Sequence, residues 1–300
     1  MPDAELDGIL NINKPVGMTS HDVVARVRRI IGQKRVGHAG TLDPLASGVL
    51  LLCLGQATRV SEYLIAGDKV YRASCRLGIT TDSYDAEGRV TSQSEVTVTR
   101  DQVERELLAF VGHLQQTPPM YSALKVGGTP LYRLARRGQT VTRTARLVEI
   151  HALELLDWRP PEMQLEVHCS KGTYIRSLVH DIGQRLQCGA YLAGLVRTAS
   201  GAFRIEESTT FDELEAAQAQ GVTAPLLRPL DVALQAFPAV TVDDEMATSI
   251  AHGQSVQLDA DPASLIRAYA SGGGLLALLQ HKKEDLWQPH KVFATGVGRA

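Results

Sequence analysis

The chain is poor in the features that would mark a disulfide scaffold, a membrane protein or a user of a common nucleotide cofactor. Its four cysteines, Cys53, Cys75, Cys169 and Cys188, are scattered, with no CxxC pair and no His/Cys grouping at zinc spacing. That pattern excludes a disulfide framework and reads as reduced packing residues in a cytosolic protein. No run approaches the roughly 18 apolar residues that a membrane span needs, and the acidic start MPDAELDG has no apolar core. Neither a signal peptide nor a membrane anchor is expected. GxGxxG and Walker-type loops are missing as well, which removes the dinucleotide and P-loop readings.

An excess of positive charge is also missing. A net charge of −2, spread evenly, would argue against a nucleic-acid partner, because phosphate binding draws on clustered Lys and Arg. The charges are not spread evenly. Arg26, Arg28, Arg29, Lys34 and Arg35 form one basic block, and Lys125, Arg133, Arg136, Arg137, Arg143 and Arg146 form a second. Acidic residues gather instead at Glu206, Glu207, Asp212, Glu213 and Glu215. Two basic blocks on either side of a candidate site fit a groove that tracks phosphates.

That candidate site is the run GHAGTLDPLASGVL, from Gly37 to Leu50. It places Asp43 in a tight, mostly uncharged loop that leads into the apolar strand Val49 to Leu54. Thr41, Asp43, Pro44 and Ser47 supply turn and cap chemistry, and glycines allow close backbone approach. An isolated Asp-Pro pair is ordinarily only a turn cap. A carboxylate fixed at the mouth of a rigid sheet, however, suits covalent or acid/base work.

Around it, Ile9 to Asn13 reads as a strand. Thr19-Ser20-His21-Asp22 reads as a capped helix start, followed by the buried stripe Val23, Val24, Val27, Ile30 and Ile31, with Arg26 and Arg29 opposite. Alternation over Lys69 to Leu77 puts Tyr71, Ala73, Cys75 and Leu77 on one strand face. A short helix is expected from Thr129-Pro130 to Gly138, strands over Arg146 to Leu155 and Gln164 to Cys169, and a helix from Tyr174 to Leu186. Strands joined by helical excursions give an α+β fold with flanking helices on a mixed, largely antiparallel central sheet. A composition shift near Phe237-Pro238 divides the chain of 300 residues into 1–236 and a compact β-rich unit, 237–300. In that unit a helix ends at His252, and strands lie near Leu275 to Leu279 and Val292 to Thr295.

GHAGTLDPLASGVL resembles the catalytic signature of the TruB family of tRNA pseudouridine synthases. Four more segments match in family order: GILNINKPVGMTSHDVV (Gly8 to Val24), KVYRASCRLGITTDSYDAEG (Lys69 to Gly88), PPMYSALKVGGTPLYRLARRG (Pro118 to Gly138) and SKGTYIRSLVHDIG (Ser170 to Gly183). The resemblance implies a stand-alone bacterial-type enzyme that converts uridine 55 in the T-arm loop of tRNA to pseudouridine. It further implies the pseudouridine synthase fold with a C-terminal PUA-like RNA-binding domain, and chemistry with no cofactor and no metal.

By position in the motifs, Asp43 is the catalytic carboxylate and Arg176 its cationic partner. Tyr71 is the tyrosine that stacks on the target uracil. His38 is expected to stack against or replace bases in the opened loop. Lys14 and Lys125 have phosphate or loop-supporting roles, while Asp85 and Tyr174 lie at substrate-binding positions, Asp85 either touching substrate or organising Arg176. A monomer in the cytoplasm with no obligatory protein partner is expected. Two other readings stand beside this one: an RNA chaperone that refolds the tRNA elbow without catalysis, and an N-glycosidase using Asp43 and Asp85 as a carboxylate pair.

Overall fold

Apolar alternation and helix capping together build one large sheet with helices packed against it. The computed structural model describes residues 5–122, 124–139, 141–262 and 264–293. The side chains of Lys125 and Arg136, and the strand expected beyond Phe293, lie outside the described residues. The chain begins β1 (Gly8–Lys14), α1 (Ser20–Ile31), β2 (Val36–Ala39), β3 (Ala46–Leu54), α2 (Ser61–Ala66), β4 (Lys69–Leu77). It continues β5 (Ile79–Thr81), β6 (Val90–Gln93), α3 (Arg100–Leu107), β7 (Gly112–Gln116), β8 (Lys125–Val126), β9 (Thr129–Pro130), α4 (Leu131–Arg136). Then come β10 (Arg146–Arg159), β11 (Glu162–Cys169), α5 (Ile175–Arg185), β12 (Ala190–Ser200), β13 (Phe203–Arg204), α6 (Phe211–Ala219) and β14 (Leu227–Arg228). The C-terminal unit holds β15 (Ala239–Thr241), α7 (Asp244–Ala251), β16 (Val256–Gln257), β17 (Ile266–Tyr269), β18 (Leu275–Lys283) and β19 (Leu286–Val292).

The main sheet runs β14-β1-β3-β12-β4-β11-β10-β7, with β2 on the side of β3 and β13 on β12. β12 pairs in parallel with β3 and antiparallel with β4, so the sheet is mixed and largely antiparallel, as expected. β3 and β4 are neighbours in sequence, yet β12 lies between them.

Two kinds of burial occur along this sheet. Every residue from Val49 to Leu54 is fully buried. Leu50, Leu52 and Leu54 join the core under α1 and α6, while Val49, Leu51 and Cys53 join a second core that reaches Leu278 and Phe293 of the C-terminal unit. A strand covered on both faces reads as a continuous apolar run, which is why β3 is so plain in the sequence. β10 and β11 are covered on one face only. Val148, Ile150, Val167 and Cys169 point inward and are buried, while His151 and His168 alternate outward.

Local signals explain the helix ends. Thr19 caps α1, its hydroxyl accepting from the backbone of Asp22 while Asp22 returns a bond to Thr19, and Gly32 closes the helix in the left-handed region. Arg26 does not stand free beside Arg29. Its guanidinium lies 4.1 Å above the Phe211 ring and pairs with Glu215 at 2.9 Å, because α6 docks on that side of α1. Thr129-Pro130 does not open a helix either. It forms β9 of a small hairpin whose Gly127-Gly128 turn has φ of 56° and 81°. Two adjacent glycines with positive φ favour a tight hairpin over a helix cap, so α4 starts at Leu131.

The C-terminal sheet runs β15-β17-β18-β19-β16. Ala247 and Ile250 of α7 share its core with the fully buried Trp287. Tyr269 donates to Asp231 Oδ2 at 2.9 Å, Arg267 Nε donates to the Phe237 carbonyl at 2.9 Å, and Lys291 pairs with Glu62. These contacts seat the unit on the outer side of β1 and β3. Among the described residues no helix is long and apolar enough to cross a membrane.

Candidate active site

The Asp43 loop is fastened before any reactive group is considered. Lys14, at the end of β1, is fully buried, and its ammonium donates to the carbonyls of Ala46 at 2.6 Å and Pro15 at 2.9 Å. Burial lowers its pKa to about 8, with Asp43 opposing the shift. Ser20 donates to the Leu42 carbonyl at 3.1 Å and accepts from the Leu42 amide at 2.9 Å. The Gly17 amide donates to the Pro44 carbonyl at 2.8 Å. Of the two roles expected for Lys14, this geometry permits loop support, since a fully buried ammonium has no face left for a phosphate. Gly48 completes the frame. Its φ is 96°, and a Cβ there would come within 2.3 Å of the Arg197 carbonyl across the parallel β3-β12 pairing.

α5 brings the cation. Its first residues follow Tyr174, whose amide donates to Gln116 Oε1 at 2.7 Å and whose carbonyl accepts from Gln116 Nε2 at 3.1 Å. Gln116 is itself buried, and Ser177 adds a bond to the Thr117 carbonyl at 3.0 Å. The start of α5 is thereby fixed to the end of β7.

Arg176 is held on every side. Nη2 lies 2.9 Å from Asp43 Oδ2 and donates to the Tyr121 carbonyl at 2.7 Å, while Nη1 lies 3.2 Å from Asp85 Oδ2. The guanidinium is 5% exposed, Asp85 4% and Asp43 38%. Asp85 is further fixed by Ser83 Oγ and by the Glu87 amide at 3.1 Å. Of the two carboxylates, therefore, Asp43 alone opens widely to solvent, which leaves Asp85 to organise Arg176 rather than to meet a substrate. The paired free carboxylates needed for glycoside hydrolysis are not assembled.

Burial pushes the Asp43 carboxyl above its ordinary value and Asp85 adds to this, while Arg176 and Lys14 pull it down. The side chain keeps more than a third of its surface open, and water there limits the rise. The guanidinium fork spans two carboxylates, Nη2 to Asp43 and Nη1 to Asp85, and so fixes Asp43 through one oxygen.

Tyr71 lies below the cleft rather than on its wall. It is 9% exposed, and burial raises its pKa while the Arg197 guanidinium beside it opposes the rise. Arg197 escaped the sequence analysis. It is 1% exposed and donates to the Val49 carbonyl at 2.7 Å and the Gly40 carbonyl at 3.2 Å, so it ties both ends of the Asp43 segment to β12. Only the burial of an arginine in an otherwise apolar strand pattern could have marked it.

His38 packs edge-on against His21, their ring centroids 5.3 Å apart. Burial lowers its pKa, with His21 and Arg197 adding to the effect, and its Nδ1 is buried without a partner. His21 was also missed; it lines the cleft. The cleft has a volume of about 740 Å³, and its wall includes Ser20, Thr41, Asp43, Tyr121, Ser122 and Arg176. The hydroxyl of Ser122 is buried with no partner, which leaves a polar group available in the wall.

Comparison with known proteins gives one answer at three levels. The family model described as TruB family pseudouridylate synthase (N terminal domain) matches residues 28–175, and the tRNA pseudouridylate synthase B C-terminal domain matches residues 176–235. A tRNA pseudouridine synthase B of Dehalococcoides mccartyi is 46% identical over 290 residues, covering 96% of this chain and 97% of its own. One of Burkholderia mallei is 44% identical over 299 residues, covering 97% and 98%. A chain of a Cbf5-Nop10-Gar1 complex superposes with a TM-score of 0.75 at 26% identity, over 98% of this chain and 91% of that one. An H/ACA RNP bound to a substrate RNA containing 2'-deoxyuridine gives 0.74 at 25% identity, over 98% and 91%. With two family models matching residues 28–235 end to end, and a relative 46% identical over 96% of the chain, the chain belongs to the TruB family of pseudouridylate synthases.

Proposed function

We propose that this chain isomerises uridine 55 in the T-arm loop of tRNA, with Asp43 acting at the sugar-base bond. The observation that carries the reading is the solvent-open Asp43 carboxylate, aimed into the cleft and paired with an Arg176 that Asp85 locks from behind. The reaction breaks C1′–N1, turns the uracil and forms C1′–C5. The C5 proton leaves and N1 regains a proton, so atoms and charge balance with no redox step.

A base must leave its stack to reach Asp43, at a cost of a few kcal/mol that protein contacts offset. His38 packs behind the cleft-lining His21, and the two rings fill the gap. The extruded uracil then enters past Asp43 toward Tyr71, whose buried ring is uncovered as the base enters, stacks on it and assists loss of the C5 proton. Tyr174 and Lys125 belong to the same substrate-binding surface. Residues 237–300 form a PUA-like module that adds RNA contacts, and the chain works in the cytoplasm as a monomer without a protein partner.

The test is tritium release from tRNA labelled at uracil C5, followed by mapping of the modified position, for the parent chain and Asp43→Asn. Release by the parent alone, mapping to position 55, is expected. Release by both proteins removes Asp43 from the chemistry. Release by neither, with tRNA binding intact, favours an RNA chaperone.

A further inference from the structure

On the solvent face of β10 and β11, opposite the face that carries Tyr71, three potential metal ligands converge. His151 Nε2 lies 3.3 Å from Asp68 Oδ1, and His168 Nε2 lies 3.9 Å from Asp68 Oδ2. The two imidazole centroids are 4.8 Å apart. One donor atom from each residue falls within 4.8 Å of the other two. None of these residues serves the cleft.

The backbone explains why they meet. Ile150 pairs with Cys169, and Ala152 with His168, so His151 is the extra residue of a β-bulge. A bulge re-aims the side chain at its extra residue, and here it turns His151 toward His168. Asp68 sits just before β4, where its carbonyl accepts the Gly201 amide at 2.8 Å. The three ligands thus come from three segments that are already fixed.

The arrangement has the form of a metal site rather than of a plain ion pair. Both imidazoles turn Nε2 to the same carboxylate at distances beyond a good hydrogen bond. His151 turns its other nitrogen toward Glu149 Oε1, 3.6 Å away and likewise beyond a hydrogen bond. Ligand bonds of about 2.0–2.1 Å in a tetrahedral site place donor atoms roughly 3.3 Å apart. The observed gaps, 3.3 and 3.9 Å from the imidazoles to the carboxylate and none above 4.8 Å, are close to that spacing. Two imidazoles and a carboxylate suit a borderline-soft divalent ion, with water in the remaining position.

We propose that Asp68, His151 and His168 bind a divalent transition-metal ion of the zinc class. The ion ties the β10-β11 pair to the segment before β4. The thiol of Cys169, the residue after His168, is fully buried in the core on the opposite face and takes no part.

The test is titration of the metal-free full chain with Co²⁺, read by visible absorption, and with Zn²⁺, read by calorimetry and by melting temperature. A single tetrahedral Co²⁺ site is expected, together with a melting temperature that rises with free Zn²⁺. His168→Ala and Asp68→Asn each weaken binding by at least about tenfold and abolish the melting shift. Both variants retain tRNA isomerisation and the parent's far-ultraviolet circular dichroism. Equal affinity in parent and variants, or no binding by the parent at millimolar metal, overturns the site and leaves a surface His/Asp ion pair only.

Discussion

Asp43 and Asp85 reach the same guanidinium, at 2.9 and 3.2 Å, from loops built in opposite ways. The Asp85 loop spends its carboxylate inside the fold. One oxygen accepts from Ser83 and the Glu87 amide, the other takes Arg176, and 4% of the side chain remains exposed. The Asp43 loop spends backbone groups instead. Lys14, Gly17, Ser20 and Arg197 hold its carbonyls and amides, and the carboxylate is left 38% open above them. The contrast separates a carboxylate that stabilises from one that is free to react. It also shows how a fold can tolerate a buried arginine: a second carboxylate, itself buried, lies against it.

Four substitutions break or sharpen that contrast. Asp43→Asn has the largest effect on activity, lowering kcat by about 10²- to 10⁴-fold in the tritium-release assay, with a smaller drop in melting temperature than Asp85→Ala causes, because Arg176 keeps its buried partner Asp85. Asp85→Ala reverses the pattern. It leaves Arg176 buried with half its charge compensation gone and costs about 3–5 kcal/mol in denaturant unfolding, activity falling as a consequence.

Arg176→Lys keeps the charge but not the fork. Asp43 works as a carboxylate and its pKa is raised by burial, so activity is lost as pH falls through that pKa. A lysine cannot serve both anions at once, so the downward pull on Asp43 weakens and the acid limb of the pH-rate profile moves up. An acid limb that stays in place would separate Asp43 from that limb.

Gln116→Ala has the smallest effect. It removes the two bonds to the Tyr174 backbone and costs about 1–2 kcal/mol, with a modest loss of kcat and no shift of the acid limb.

Much of this was legible in the sequence wherever the signal was local. The α1 capping box, the doubly covered β3 and the Asp43 turn are each encoded within a few residues. The resemblance supplied Arg176, and burial then identified its partners. Non-local features left no such trace. Arg26 reads as a free cation until α6 arrives to cover it. Gln116, Arg197 and His21 acquire meaning only from segments far away in the chain. Lys14 fits a phosphate contact in the sequence, whereas its burial assigns it to the loop. The Asp68, His151 and His168 cluster has no motif spacing, because a bulge and strand pairing bring it together.

The insertion of β12 between β3 and β4 also sets an order of events during synthesis. Both flanking strands leave the ribosome early, but their lateral partner is made much later, and such non-local pairings close slowly. Arg176 lies in the helix just before that late strand. A nascent chain halted ahead of Ala190 is therefore expected to carry an intact Asp43 sequence and no Asp43–Arg176 pair. Hydrogen exchange on such a stalled chain would find Val49–Leu54 of β3 paired with β1 and β2 but Ala46–Gly48, which await β12, unprotected, so the capacity to react arrives with β12 rather than with the motif that encodes it.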